Sequence, residues 1–367
     1  MLEYSPSAVY NFVFCELKEW KRLIDCDKLG RANVLRPKLE KRAKEFGPTL
    51  PRLCYEMYAA RLYRAANDIE AFDKTMAYLE TVESEIAEWG MLRYLYIRLK
   101  GMRALSKRQF KESLDLLLEA EKMIGVEDNV EGDAAFYYAI GYCLTDLHNP
   151  DMAIDYLKKA QLHAFQKGHQ KHDLDIQRLL AENHSKIGEY EKAYDILNEC
   201  LISEKRKKKT KPSSPTLGCV HLSYGIVCYK AKKYSEALKH FDAAMQNLEE
   251  SSEQYVISLY YNALALIDSD KPEMSLPYLD KGISLSYNMT MWETLFNALK
   301  HLQTLSNPES RHYMINTAIP KVQEYGHCER AAAFCKKLCE YYKMCGQLDK
   351  ALVYCNLALE ITEKLMK

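Results

Sequence analysis

The sequence is poor in helix-breaking residues and has no long apolar run. Its 367 residues include only 14 glycines and 11 prolines, which favours helices over turn-rich β structure. No stretch stays apolar over the roughly 20 residues that a membrane-spanning helix needs. Residues 1–14 lack the basic segment and the small-residue cleavage site of a secretory signal peptide. We therefore expect a cytoplasmic protein without a membrane segment.

The chain also lacks an excess of either charge and the usual signatures of catalysis. Lysine plus arginine and aspartate plus glutamate both total 51, so composition gives no argument for direct binding to nucleic acid or to a membrane. The twelve cysteines include no C-x-x-C pair, the spacing typical of zinc sites. Phosphate-loop, dinucleotide-binding, zinc-protease and serine-hydrolase motifs are absent too. The sequence predicts no metal site, no cofactor and no catalytic residue.

What the sequence does contain is a repeated pair of small residues, twelve positions apart. We expect one member in a first helix and the other in the second helix, because antiparallel helices approach closely only where side chains are small. The second members recur every 38 to 44 residues, with one double interval before Ala351, whereas a tetratricopeptide repeat has about 34 residues. The pairs are Gly101/Ser113, Gly141/Ala153, Ala181/Ala193, Gly225/Ala237, Ala263/Ser275 and Cys339/Ala351.

These patterns predict an all-α protein with two parts. Residues 1–70 should form an N-terminal three-helix bundle, with Pro51 in the first turn of the third helix. Asp68 should cap a linker helix over residues 71–92. Residues 93–367 should form a tetratricopeptide-repeat superhelical solenoid of about six to seven helix pairs, although the small-residue pattern is lost between residues 291 and 325.

The first helices of such a solenoid form an extended wall that suits a peptide. Several positions expected on this wall are polar or aromatic, and they are equally compatible with an ordinary solvated surface. They are Tyr142, Asp146, Arg178, Glu182, Lys186, Tyr229 and Tyr260. The basic, proline-containing run over residues 204–215 has two readings, a localisation signal or a solvated inter-repeat loop, and like-charge repulsion favours the loop.

Three segments resemble the Rap proteins of Bacillus and related bacteria: residues 17–46 in the bundle, 92–124 in the first repeat and 136–160 in the second. The resemblance extends over nearly the whole chain. It implies a three-helix bundle followed by a tetratricopeptide solenoid that binds short, reimported signalling peptides of the Phr type. Rap proteins dephosphorylate or bind response regulators, sequester DNA-binding regulators, or act on repressors of mobile elements.

The chain departs from the family pattern at two places. Phosphatase members open the third helix with a D-Q pair whose glutamine positions the attacking water; Pro48 and Thr49 stand there in this chain, and Thr49 is too short to replace a glutamine amide. The simpler interpretation is that Thr49 caps the third helix. At the family's peptide-clamping asparagine, two residues before Gly225, the chain has Ser223, whereas Asn183 matches an asparagine of some members.

The sequence therefore predicts a peptide-responsive regulator that works by binding. Its expected partners are a short Phr-like peptide and a response regulator or DNA-binding regulator protein, with no direct contact to nucleic acid or membrane; a homodimer is left open. Two alternatives remain at this point: an aspartyl-phosphate phosphatase that uses residues other than the usual glutamine, and a repeat scaffold without a signal peptide.

Overall fold

The computed structural model describes residues 6–26, 28–46, 49–126, 132–166, 173–207, 215–286 and 289–365. These residues form helices joined by short turns, and they contain no β-strand. The prediction of an all-α fold is confirmed. None of the helices in this part of the chain is both long and apolar enough to cross a membrane.

The N-terminal helices pack around one buried tryptophan. Trp20 stacks on Tyr55 with ring centroids 5.2 Å apart, and its indole Nε1 donates a hydrogen bond to the carbonyl oxygen of Ala32 at 2.8 Å. Because these residues lie on three different helices, the contacts of the Trp20 side chain connect all three helices. The helices are α1 (Pro6–Asp25), α2 (Leu29–Lys44) and α3 (Leu50–Ala65).

Two helices occupy the segment for which one linker helix is predicted. They are α4 (Ile69–Thr81) and the short α5 (Glu83–Ala87). Asp68 caps α4 as expected, since its carboxylate accepts a hydrogen bond from the backbone N–H of Ala71. The break falls at Val82, whose backbone leaves the helical region while its side chain is buried. The boundaries of the predicted domains stay a prediction.

The rest of the chain consists mainly of paired antiparallel helices. In chain order these are α6 (Gly90–Ser106), α7 (Phe110–Glu121), α8 (Ala134–Asp146), α9 (Pro150–Gln166), α10 (Asp173–Lys186), α11 (Tyr190–Lys207), α12 (Pro215–Lys230), α13 (Tyr234–Asn247), α14 (Glu253–Asp268), α15 (Pro272–Leu285), α16 (Thr290–Leu302), α17 (Pro308–Tyr313), α18 (Ile319–Glu324), α19 (Cys328–Met344) and α20 (Leu348–Leu365). The chain divides into two compact units: unit 1 comprises Met1–Leu147 with Asp155–Gly168, and unit 2 comprises His148–Ile154 with His169–Lys367.

The predicted small residues lie where paired helices approach most closely. A Cβ atom added to Gly225 would come within 2.5 Å of the Phe241 ring, so α12 and α13 can pack at this distance only with glycine there. In unit 1, the Ser113 hydroxyl donates to the Gly101 carbonyl at 2.8 Å. Every member of the six predicted pairs is buried. The structure thus confirms the physical basis of the repeat pattern.

The repeat is irregular where the small-residue pattern is lost. In place of one regular second helix, the chain forms α17, a π-helical turn over Met314–Ala318, and α18. Pro320 lies in the first turn of α18. Proline has no N–H to donate to the preceding turn and its ring crowds that turn, so the regular α-helical hydrogen bonding is interrupted just before it.

The basic run begins inside a helix. Helix α11 continues to Lys207, so the first part of the run is not a loop. Residues 208–214 lie outside the described residues, and the choice between a localisation signal and a solvated loop stays open.

The close packing of paired helices can be tested by a substitution at Gly225. We expect Gly225→Ala to lower the free energy of unfolding by about 1–3 kcal/mol, because the fully buried Phe241 ring has no free space into which it can move. The measurement is the thermal unfolding midpoint followed by circular dichroism. Gly30→Ala is the matched control, since a Cβ there would meet nothing within 4 Å. Equal midpoints for the two variants would contradict the close-packing explanation.

Candidate functional site

Two of the predicted peptide-contacting residues lie in unit 1. Tyr142 and Asp146 are both on α8. The Tyr142 ring is half-buried between Phe110 and Tyr138, with centroid distances of 6.1 Å and 6.2 Å. Asp146 is exposed at the last residue of the helix. Their part in peptide binding stays a prediction.

The predicted residues of α10 lie in unit 2, and one of them contacts the next first helix. Arg178 Nε donates to the Ser223 hydroxyl at 3.0 Å, and Arg178 Nη1 lies 3.1 Å from an Asp175 carboxylate oxygen. One turn further on, Lys186 pairs with Glu182 at 3.2 Å. Arg178 and Ser223 were selected from the sequence for separate reasons, and the fold brings them together.

Two other predicted residues are buried in the core of unit 2. Asn183 is fully buried, and its amide nitrogen donates to the Leu179 carbonyl of its own helix at 2.8 Å. Tyr260 is only 2% exposed, with its ring edge-on to Trp292 and Phe296. The neighbouring Tyr261 is half-exposed instead. One step along a helix turns the side chain by about 100°, so the two tyrosines have different environments.

The other predicted tyrosine connects α12 with α14. The Tyr229 hydroxyl donates to an Asp268 carboxylate oxygen at 2.6 Å, and its ring lies 5.8 Å from the Tyr261 ring. Burial raises the pKa of Tyr229, and the hydrogen bond to Asp268 raises it further. The phenol therefore remains a protonated donor at neutral pH. Lys337 of α19 also approaches Asp268, at 3.7 Å.

These contacts join the first helices of unit 2 into one partly exposed surface. It runs from α10 to α12, then to α14, and on to α19. On α14, sequence reasoning selected Tyr260 rather than Tyr261 and Asp268, and on α19 it selected no residue, because the repeat pattern does not show which side chains of a first helix face outward. We call it the first-helix surface and define it by Arg178, Ser223, Tyr229, Tyr261, Asp268 and Lys337.

A second long-range ion pair in unit 2 lies at the start of α19. His148 Nδ1 is 3.0 Å from a Glu329 carboxylate oxygen. The hydrogen bond from His148, aided by the charges of His148, Lys230 and Lys186, lowers the pKa of Glu329 to about 2 against the opposing effect of burial. Nothing in the local sequence signals this contact, because the two residues lie far apart along the chain.

Thr49, the position at which the chain departs from the phosphatase pattern, lies in the N-terminal bundle. Thr49 has extended backbone angles at the N-cap of α3, but its side chain makes no capping hydrogen bond. Its hydroxyl donates instead to the Phe46 carbonyl at 3.0 Å. Thr49 therefore occupies the N-cap position predicted for it, but without a side-chain capping hydrogen bond, because its hydroxyl donates to the preceding turn. Pro48 lies outside the described residues.

Known proteins with similar sequence and structure share this architecture. No protein-family model matches the chain. Response regulator aspartate phosphatase I of Bacillus subtilis (strain 168) is 21% identical over 369 residues, covering 98% of this chain and 92% of that protein. A Rap protein in complex with Competence and Sporulation Factor superposes with a TM-score of 0.79 at 16% identity, covering 97% of this chain and 99% of that one.

A quorum sensor from another species has a similar fold. The apo form of NprR from B. thuringiensis has a TM-score of 0.79 at 20% identity, covering 96% of this chain and 99% of that one. NprR in complex with its cognate peptide NprX has a TM-score of 0.72 at 20% identity, covering 95% and 99%. The resemblance to the Rap proteins is confirmed at the level of the fold.

The long-range ion pair can be tested by titration. In the folded protein, we expect the Glu329 carboxyl to titrate well below its ordinary value of 4.5, and His148→Ala to move its pKa upward. Because the folded-state pKa is lowered, the contact stabilises the protein above pH 4.5 and this contribution is lost as the pH falls toward 2. Carboxyl carbon NMR shifts give the midpoint.

The control for this titration is Glu189, whose pKa is lowered by Lys192 and by a different histidine, His184. Its midpoint should not change in the His148→Ala variant. An unchanged Glu329 midpoint in that variant would contradict the contact.

Proposed function

We propose, on the premise that this chain has the Rap-protein fold, that it is a regulator controlled by a short signalling peptide. The peptide binds on the first-helix surface of unit 2. The protein acts by holding or releasing a second protein, either a response regulator or a DNA-binding regulator, and it works in the cytoplasm. The relatives support this proposal through the molecules in their complexes, Competence and Sporulation Factor and the peptide NprX.

The observation that carries the proposal is the chemistry of the first-helix surface. It presents an arginine, a hydroxyl, two phenols, a carboxylate and a lysine, which lie on α10, α12, α14 and α19. A peptide backbone exposes N–H donors and carbonyl acceptors that must find partners when water is removed. Rigid tyrosines contribute contact area at low entropic cost. The polar side chains of this surface can therefore form hydrogen bonds with the backbone of an extended peptide, in place of those that the backbone loses with water.

The dimensions of the surface limit the peptide length. Neighbouring packed helices lie about 10 Å apart, and an extended chain advances about 3.3 Å per residue. A ligand that crosses from α10 over α12 to α14 therefore needs about six residues. This length is typical of a processed signalling peptide and too short for a folded domain.

Control of the partner requires only modest coupling. We propose that the N-terminal helical bundle contributes to holding the partner protein. A peptide that changes partner affinity by about 5- to 150-fold needs a coupling free energy of about 1–3 kcal/mol. Interactions of a few charged side chains supply free energies of this size.

The second candidate function is dephosphorylation of a response regulator. It is favoured by the name of the Bacillus subtilis relative, a response regulator aspartate phosphatase. Hydrolysis of an aspartyl phosphate needs a water held in line with the phosphorus–oxygen bond. Thr49 offers a short hydroxyl that already donates to Phe46. We therefore rank binding above catalysis.

Peptide binding can be tested with synthetic peptides of about six residues, taken from short reading frames adjacent to the gene. At a concentration of 100 times the Kd, a bound peptide should stabilise the protein by about 2.7 kcal/mol and raise its unfolding midpoint. Arg178→Ala and Glu182→Ala should each weaken binding about tenfold or more, because each removes a charged hydrogen-bonding group.

The control pair is Arg93→Ala and Glu119→Ala, which removes the same residue types at an exposed ion pair of unit 1. These variants should bind peptide as the wild type does. If Arg178→Ala also leaves the affinity unchanged, the peptide site is not on the first-helix surface, and an unchanged affinity of Glu182→Ala would exclude the next turn of α10 as well.

Phosphatase activity can be tested with a receiver domain that carries a labelled aspartyl phosphate. We expect the protein to bind this domain without accelerating loss of the label, because the Thr49 side chain is too short to orient the attacking water. Thr49→Gln alone should not install activity, since the flanking residues also differ from those of phosphatases. A severalfold faster loss of label with the wild-type protein would make dephosphorylation the leading function.

A further inference from the structure

One arginine of unit 2 lies within a cluster of aromatic rings. The guanidinium carbon of Arg330, on α19, is 5.0 Å from the ring centroid of Trp292 and 5.1 Å from that of Tyr260. The half-exposed ring of Tyr261 lies 6.0 Å away on the other side. Since Tyr261 belongs to the first-helix surface, Arg330 lies directly beside that surface.

Within the described part of the chain, this arginine forms no ion pair. Its Nη1 atom is buried and has no hydrogen-bond partner. The carboxylates around it have other partners. Glu329 pairs with His148 at 3.0 Å. Asp268 accepts a hydrogen bond from Tyr229 at 2.6 Å and lies 3.7 Å from Lys337. Glu253 accepts a hydrogen bond from the Trp292 indole at 3.2 Å.

An arginine in this setting is prepared to bind an anion. The faces of Trp292 and Tyr260 attract the guanidinium group and fix its plane, and the Tyr261 side chain forms a hydrogen bond with it, but the Nη1 atom has no acceptor. A half-buried charge without an anion is costly. The rigid fork of N–H donors matches the two oxygens of a carboxylate, and both hydrogen bonds are then assisted by charge.

We propose that Arg330 is a carboxylate-recognition site, and that it binds a carboxylate of the peptide held on the first-helix surface. This inference rests on the proposed function and adds to it a chemical requirement on the ligand. The carboxylate is either the free C-terminus of the peptide or the side chain of an aspartate or glutamate. Tyr261 is the contact between this site and the rest of the surface, because it touches both Arg330 and Tyr229.

The first experiment measures the affinity of the tightest-binding synthetic peptide for the wild type and for Arg330→Gln. We expect roughly 10- to 100-fold weaker binding by the variant. Arg330→Lys keeps the charge but loses the fork, so its affinity should fall between the two. The same peptide with an amidated C-terminus, or with Asp and Glu replaced by Asn and Gln, identifies which carboxylate is bound.

Arg311→Gln is the matched control. Arg311 also lies over an aromatic ring, 5.7 Å from the centroid of Tyr341, but its Nη1 atom already donates to the carbonyls of Leu305 and Ser306. Its substitution should leave peptide affinity unchanged. Circular dichroism establishes that each variant is folded; comparing the acid and amide peptides on the wild type tests the site without any variant.

A second experiment uses a small probe and needs no cognate peptide. N-acetylglycine, a carboxylate, should shift the indole N–H NMR signal of Trp292, which is one of three tryptophans, whereas N-acetylglycinamide should not. Arg330→Gln should abolish the shift.

The two experiments separate failure of this site from failure of the proposed function. Equal peptide affinity for the wild type and Arg330→Gln would overturn the carboxylate site and leave the peptide-binding function standing. A Trp292 shift that depends on Arg330, without binding of any peptide, would support the site and count against the function. Absence of both responses would overturn both.

Discussion

The close approach of paired helices at small residues is the constraint on which the rest of the structure depends. Where α12 and α13 meet, the Phe241 ring fills the space that a side chain on Gly225 would need. Fixing the distance within each pair also fixes which face of the first helix remains outside it. The first-helix surface of unit 2 is thus a consequence of how the core packs.

On that outer face, charges are paired between helices that are not neighbours in sequence. Asp268 is held by Tyr229 from α12 and approached by Lys337 from α19, and Glu329 by His148 from the turn before α9. Asp268 is a partly buried member of these pairs, and its partners offset the desolvation that opposes a charge at such a position. Arg330 differs from these residues, since within the described residues it forms no ion pair and lies against the aromatic rings of Tyr260 and Trp292.

The bundle shows how a small local change alters the chemistry available to a fold. The resemblance to Rap phosphatases implies a glutamine at the start of the third helix. Thr49 stands at the corresponding position, and its hydroxyl donates to Phe46 in the preceding turn. The proposal that this protein binds a partner without catalysis rests on that contact, because fold alone does not decide function.

The sequence by itself determined the helical class, the paired small residues and the likeness to Rap proteins, because close helix packing restricts residue size at fixed local intervals. It also placed Arg178 and Tyr229 on first helices from their positions in the repeat, and the structure confirms those helix assignments. Only the tertiary structure decided that Tyr260 is buried while Tyr261 is exposed, since neighbouring helical residues point about 100° apart and both are tyrosines. Only the tertiary structure brought His148 to Glu329 and placed Arg330 among rings from α14 and α16. Those contacts depend on how successive helices stack beyond the irregular segment, and no local spacing in the sequence records that arrangement.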